Sequence, residues 1–532
     1  MPEESPLRVA EAARGGFSVE YRGRALYSRV APREGPERTA RELEPNPDTL
    51  YVVPSPLLGY GLSILLDRIP ASCAVLALEA EPQLAALSRA ELPPTVLDHP
   101  RFLFSTDPYR AGPEIHALGR FRRAVEVRLS GGRSVCPDAY EAALAAVDEE
   151  LNRYWRNRMT MVRMGRLWAR NIVRNLAALP DSGIREPVVW GGPVAVCGAG
   201  PSLDAACEWL TRERRRLRIL ACDTALGPLV LRGILPDAVV CLEGQIHNLK
   251  DFLPACGAGL PVFTDLSSHP SVLHAVRGPK ILTLTRYEEL GFLDRLEALP
   301  LPFLRVQPLG SVGVLAVHLA RRLTEDPVFL AGLDFSFPPG STHAKGAPAI
   351  LAEACREARL YKARGQWSAA WPFEPAGAGT GGGAASIMES YATLLAREVR
   401  EDPGIFDIRG VGLPLGRTRL SFPEASRVLD AGPSAPPSGP VPAGKELPRK
   451  ALRSAAAAFL EGETARLEAL LAALGGEGDL ASRAADCDWI YSWFPDEHRV
   501  PALAGDVRNR LLAEALDWRR RLLEARAALE ET

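Results

Sequence analysis

Lysine is scarce in this 532-residue chain: Lys250, Lys280, Lys345, Lys362, Lys445 and Lys450 are all it has, so arginine carries nearly all the positive charge. Neither sign of charge dominates. The 63 Lys and Arg against 65 Asp and Glu leave a formal net charge of -2. That excludes an overall basic field able to recruit nucleic acid or anionic lipid. Paired cysteines are missing too. The nine Cys lie scattered, with no CxxC and no zinc-ligand spacing, and Cys73, Cys197, Cys222 and Cys241 sit inside apolar runs as small hydrophobes. An odd number so placed points to the reducing cytoplasm rather than a disulfide framework. No apolar run is long enough to span a bilayer, so no membrane insertion is expected. The opening "MPEESPLRVAEAARGG" lacks the apolar stretch of a signal peptide.

What is present is an ordinary globular composition, 47% hydrophobic and 24% charged, long enough for several domains. The expected fold class is α/β: a doubly wound, Rossmann-like central domain, a smaller α/β N-terminal domain and a helical C-terminal segment. Residues 1–137 form the N-terminal domain, expected to be non-catalytic, with a strand at 50–54, a helix at 60–67 and a strand at 73–79 that runs into Glu79 and Glu81. Its turn "SPLLGYG" faintly resembles the cofactor loop of class I methyltransferases. However, Pro54 and Pro56 stand where such a loop needs N–H groups, so a structural turn is expected. Residues 138–187 are a helical connector in which Arg is interleaved with Trp155, Trp168 and Met residues, read as an amphipathic bridge rather than a nucleic-acid surface. Residues 188–425 alternate strand and helix, with strands near 193–197, 217–222, 237–242, 260–264, 280–285, 303–306 and 327–331. "AGAGTGGGAAS" at 376–386 reads as a flexible lid before a helix at 387–400. A Pro/Gly/Ser linker spans 426–445, and 446–532 is helical. The aromatic loop "DWIYSWFPDEH" there either builds a small helical core or docks a partner.

The stretch "VAVCGAGPSLDAACEWL" at 194–210 reads as a buried strand, a tight turn and a helix. Gly198 and Gly200 let the backbone turn and approach a ligand, Pro201 sets φ, and Ser202 and Asp204 are candidate helix caps beside Leu203. The helix N-terminus then offers N–H groups to a phosphate. The turn lacks the third Gly of a dinucleotide loop and the Gly-Lys-Ser/Thr of a P-loop. Asp223 and Thr224 end the next strand, where such folds place a group for ribose or base; a helix cap is the alternative. Glu243 ends the strand after that, with Gln245, His247 and Asn248 beyond it. Gly310 and Ser311 open another helix, either as a second anion cradle or as a plain cap. His318 falls on the apolar side of that helix, as a packed core residue. The strand toward Asp334 opens into a loop with Ser341, Thr342, His343 and Lys345. A loop His there is a candidate general base, and a nearby Lys can steady an anionic leaving group.

The order "GAGPSLD", "CDTALGPLVLRGILPDAVVCLEGQ", "GSVGVLAVHLA" and "VFLAGLDFSF…STHAKG" resembles the DUF115 family, especially its motility accessory factor (Maf) branch. "LYSRVAPREGPERTA" at 26–40 and "LLGYGLSILL" are similar to the N-terminal region of that branch. The resemblance spans roughly 20–420. It implies a glycosyltransferase that moves a nonulosonic acid from a CMP-sugar to Ser/Thr hydroxyls of flagellin, its protein acceptor, in the cytoplasm. Carried over by position, Gly198, Gly200, Pro201, Ser202 and Leu203 lie against the CMP phosphate, and Asp223 and Thr224 lie near the nucleoside. Gly310 and Ser311 hold the donor, and His343 is the base, with Glu243 and Lys345 as further catalytic candidates and Asp334 and Thr342 beside them. The central domain resembles bacterial sialyltransferases, which often carry a polar residue where Ala199 stands, and many relatives are expected to carry an Asp where Glu243 stands. No DxD motif is evident, so no cofactor is required by default. The same family includes pterin diphosphokinase-like proteins, whose Mg²⁺ would call on Asp223, Glu243 and Asp334. A third reading is an inactive scaffold that binds flagellin.

Overall fold

The structure is a computed structural model that describes residues 7–338, 341–360, 383–432, 444–497, 500 and 505–531. The chain divides into two compact units, Met1–Thr160 and Met161–Thr532. In the first, β1 (Leu7–Glu11), β2 (Phe17–Tyr21) and β3 (Arg24–Ala25) form an antiparallel meander. They are followed by β4 (Thr49–Pro54), β5 (Ala74–Leu78), β6 (Phe102–Ser105) and β7 (Arg123–Glu126). These four form a parallel sheet in the order β6-β5-β4-β7. Alternation along β4 and β5 divides their side chains between two cores. Tyr51, Val53, Val75 and Ala77 enter one, and Leu50, Val52, Ala74 and Leu76 the other. A strand covered on both faces has no polar side to offer, hence the continuous apolar runs.

The "SPLLGYG" turn needs both its glycines for its backbone path. Gly59 and Gly61 have φ of +73° and +84°. A Cβ on Gly61 would stand 2.7 Å from the Pro36 carbonyl oxygen, and one on Gly59 would stand 2.9 Å from Leu92. Glu79 is buried, accepting from Ser55 Oγ (2.8 Å), the Glu81 N–H (3.0 Å) and the Tyr140 hydroxyl. Burial pushes its pKa up.

The second unit contains β8 (Val194–Cys197), β9 (Arg218–Cys222), β10 (Ala238–Cys241), β11 (Val262–Asp265) and β12 (Lys280–Thr285). It continues with β13 (Leu304–Val306), β14 (Val328–Ala331) and β15 (Ile405–Asp407). All pairs are parallel, in the order β13-β12-β11-β10-β9-β8-β14-β15. Strand order reverses between β8 and β14, the place where open α/β sheets bind ligands at their carboxyl ends. The seven expected strands fall within about two residues of β8–β14. The eighth, β15, is three residues long and is defined by pairing with β14 rather than by local pattern.

The C-terminal helices Arg449–Leu474 and Gly505–Glu531 share a core with Ile172, Val173 and Leu176 of the long helix Pro137–Ala178. That core also includes Leu282 and Leu284 of β12 and Phe292. Trp489 stands 4.7 Å from Phe292 and 4.6 Å from Trp518 between ring centroids. The aromatic loop therefore fills a core shared with the sheet, and its Trp489 and Trp493 are buried rather than offered to a partner. The expected helix at 387–400 is Gly383–Glu398. Residues 376–382 of the expected lid and 433–443 of the expected linker lie outside the described residues. Among the described residues, no helix is long and apolar enough to cross a membrane.

Candidate functional site

The turn after β8 and the turn after β14 lie back to back. The N–H of Gly198 donates to Ala331 and that of Gly200 to Gly332, at 2.8 and 2.7 Å. A Cβ on Gly198 would meet the Gly332 carbonyl oxygen at 2.5 Å, and one on Gly200 would meet Asp334 Oδ2 at 2.6 Å. Gly332 itself has φ +64°. The missing Cβ atoms let two loops of the same chain meet.

Ser202 is the first residue before the helix Leu203–Glu213, but its side chain makes no cap. Its N–H donates to Asp334 Oδ2 at 2.8 Å, and its hydroxyl donates to Asp334 Oδ1. The positive end of that helix thus already faces a carboxylate. Burial pushes the Asp334 pKa up, opposed by the Ser202 hydrogen bonds. Asp204 is not a cap either: it accepts from Arg232 (2.5 Å) and from the Lys345 N–H (3.1 Å). Leu203 is fully buried and Pro201 half-buried. Behind Asp334, the buried pair Asp407–Arg409 at the end of β15 clamps the loop, with Arg409 donating to the Leu333 carbonyl at 2.6 Å. Burial alone would raise the Asp407 pKa, but Arg409 holds it low.

Two hydrogen bonds hold the "STHAKG" loop, the first of them to the turn. The Ala344 N–H donates to the Ala199 carbonyl at 2.8 Å, and Arg232 donates to the Lys345 carbonyl at 3.0 Å. Ala199 therefore acts through its backbone, as the seat of the loop that carries His343. His343 Nδ1 lies 3.0 Å from Thr342 Oγ1. Burial, then the charge of Lys250, pushes its pKa down. A neutral imidazole at pH 7 can accept a proton. The side chain of Lys345 is exposed.

The third group ends β9 and β10. Buried Asp223 accepts from the Thr224 N–H (2.8 Å) and hydroxyl (3.2 Å) and from Asn248 Nδ2 (2.8 Å). Asn248 also donates to Asp251 Oδ2 at 3.3 Å, while Asp251 Oδ1 is buried with no partner among the described residues. Burial, then the Asp223 charge, pushes Asp251 up to about 6. Glu243 is exposed; its carboxylate accepts from the Gln245 N–H at 2.9 Å. Tyr391, on Gly383–Glu398, stands 3.1 Å from where a Cβ on Gly310 would lie, and the Glu243 charge helps burial raise its pKa. Gly310, Glu243 and Tyr391 are thus neighbours. Ser311 caps the helix Val312–Leu323 by accepting from the Gly313 N–H at 3.2 Å, so the plain-cap reading describes its geometry. His318 is not a packed core residue: it is half-buried and pairs with Glu398 at 2.5 Å.

Asp251, Tyr391, Arg409 and Lys250 escaped the sequence reading. Asp251 sits only three residues beyond Asn248, which marks a signal that was there. Tyr391 and Arg409 arrive from helices and strands far along the chain and left no local signal. Asp334 does not join Asp223 and Glu243 as the magnesium reading needs, because Ser202 engages both its oxygens. Among the described residues, no three His, Cys, Asp or Glu side chains cluster to share a cation.

Fold and site together define a doubly wound α/β protein with polar groups gathered at the carboxyl edge beside the switch point. Residues 170–340 match the family model described as "6-hydroxymethylpterin diphosphokinase MptE-like". An uncharacterized protein of Treponema pallidum (strain Nichols) is 30% identical over 434 residues, covering 78% of this chain and 74% of that protein. A second from the same organism is 27% identical over 190 residues, 35% of this chain and 40% of its own length. The chain belongs to the MptE-like, DUF115-type family. A solved structure of a MAf glycosyltransferase from Magnetospirillum magneticum AMB-1 matches with TM-score 0.54 and 15% identity. It covers all of this chain and 90% of its own, and it establishes a shared fold.

Proposed function

We propose that the protein is a glycosyltransferase of the motility accessory factor type. It transfers a nonulosonic acid from a CMP-sugar to Ser/Thr hydroxyls of flagellin, in the cytoplasm. The observation that carries this reading is the seating of the His343 loop on the turn after β8, in a fold that matches a glycosyltransferase along its whole length. With Nδ1 engaged by Thr342, His343 Nε2 takes the proton of the acceptor hydroxyl. The freed oxygen attacks the anomeric carbon, and the bond from that carbon to the phosphate oxygen breaks, releasing CMP. Gly310, the Ser311 hydroxyl and Lys345 face the charge that gathers on the leaving phosphate. Because Asp334 occupies the end of Leu203–Glu213, the phosphate lies against the Gly310–Ser311 side.

A second reading follows from the description of the family model: an ATP-dependent pterin diphosphokinase, with Asp223 and Asp251 as its buried carboxylates. The two make opposite predictions. A ligand that binds only the native state raises the thermal midpoint. CMP is expected to raise it, and ATP with Mg²⁺ is not. Stabilisation by ATP with Mg²⁺ and none by CMP would replace the transferase by the kinase reading. Stabilisation by neither would leave the flagellin-binding scaffold.

A further inference from the structure

Four arginines of the long helix Pro137–Ala178, Arg163, Arg166, Arg170 and Arg174, recur at i, i+3, i+7 and i+11, which places them on one face. The carboxylates beside them are already shared: Glu514 and Asp517 pair with Arg166 at 3.2 and 3.0 Å, and Asp517 also takes Arg521 at 2.8 Å. Among the described residues, Arg170 and Arg174 make no ion pair, and Arg170 Nε is buried without a hydrogen-bond partner. Burial and the like charges of Arg521, Arg174 and Arg166 push the Arg170 pKa down. Positive charge is concentrated here with too few carboxylates to balance it, and Arg174 is exposed, so an incoming anion can reach it.

The surroundings are rigid and lie at the carboxyl edge of the large sheet. The residue after Arg170 and the residue after Arg174 are buried asparagines. Asn171 Nδ2 donates to the carbonyls of Gly244 and Ser267, both at 2.9 Å, and Asn175 Nδ2 to those of Leu266 and Ser268 at 2.7 and 2.8 Å. These four bonds tie the helix to the loops after β10 and β11. His269 lies on the second loop, and its N–H donates to the Glu243 carbonyl at 3.1 Å. Its Nδ1 accepts from the Ser271 N–H at 3.2 Å. A neutral imidazole so held carries its proton on Nε2 and is a donor. Arg174 and Arg170 are close enough to His269 that, after burial, their charges push its pKa down.

We infer that Arg170, Arg174 and His269 form an oxyanion subsite beside Glu243, built to hold a carboxylate or phosphate group. Two guanidiniums and one neutral N–H donor match the planar, multidentate recognition such groups require. The subsite stands on its own geometry; only the source of the anion rests on the transferase reading, as either the carboxylate of an acidic sugar or the phosphate of a nucleotide.

The test titrates N-acetylneuraminate and inorganic pyrophosphate, at constant ionic strength, against the full chain and an Arg170→Gln/Arg174→Gln variant, reading the thermal midpoint. A saturable rise is expected with one probe in the unaltered protein, and an apparent affinity at least about tenfold weaker in the variant, as loss of roughly 1.4 kcal/mol implies. A response to neuraminate names the sugar carboxylate, and a response to pyrophosphate names the phosphate. No saturable rise with either probe, or equal rises in both proteins, overturns the subsite. Without ligand, the variant is expected to keep its circular dichroism and melt no lower, since repulsion is relieved; a lower midpoint would make the arginines structural and overturn the proposal. CMP is titrated alongside. If CMP fails on the unaltered protein, the transferase reading falls while the subsite is still judged by the two probes.

Discussion

His343 and Asp251 show how burial sets the chemistry of single residues in opposite senses. Desolvation penalises the charged form of each: the imidazole loses its proton more readily and the carboxylic acid holds its proton longer. His343→Ala is expected to lower transfer by about 10²–10⁴-fold while leaving CMP binding intact; a wild-type rate would remove His343 from the mechanism. For Asp251 the folded pKa of about 6 lies above its ordinary 3.8. Its contribution to stability is therefore full below about pH 4 and is lost as pH rises through 6. Asp251→Asn does not titrate, so it is expected to be more stable than the parent at pH 7, by up to about 3 kcal/mol. The advantage vanishes at pH 4. Chemical denaturation at the two pH values checks this, and equal gains at both would contradict it.

Between elements, the meeting of the β8 and β14 turns decides where the site sits. A Cβ on Gly332 would lie 2.1 Å from the Gly198 carbonyl oxygen and 2.9 Å from Leu203 Cβ. Gly410, with φ +71°, would place a Cβ in open space. Both Gly→Ala changes strain a left-handed backbone, at a cost of about 1 kcal/mol. Only Gly332→Ala also forces two backbones apart, so it is expected to cost several kcal/mol more. Denaturation midpoints of the two variants separate strain from collision, and a similar loss in both would show that the turns yield easily. The glycine turn was legible in the sequence as a strand-to-helix junction. Its purpose was not, because the atom that demands Gly198 comes from more than 130 residues away. The same distance hid the Ser202–Asp334 pair: the alphabet of residues near Ser202 suggests a cap, and a cap is the right local guess when no competing carboxylate is in view.

Over the whole of the second unit, the sheet and the C-terminal helices are parts of one packing problem. Trp489, Trp518 and Phe292 are fully buried together, although Phe292 belongs to the helix Gly291–Glu297 between β12 and β13. Trp489→Ala is expected to destabilise the sheet as well as the helices, by about 3–5 kcal/mol, in one transition. Hydrogen exchange in β12 would report it; protection there unchanged would mean the helices unfold alone. A linker-like composition near 426–445 suggests separable parts, but composition says nothing about which apolar faces remain to be covered. The faces of Arg449–Leu474 and of the Ala169–Ala177 segment are covered by each other and by the sheet.

By itself the sequence determined the elements: buried parallel strands from short apolar runs, helices from their periodicity, tight turns from glycine, and the absence of a global basic field from the charge count. These are local properties, set by backbone sterics and the pattern of apolar side chains. Only the tertiary structure decided which groups meet. Asp334 reached Ser202, Ala344 settled on Ala199, and Asn248 joined Asp223 to Asp251. Such meetings follow from strand order and packing across the sheet, where contact between residues far apart in the chain depends on the whole fold closing around them.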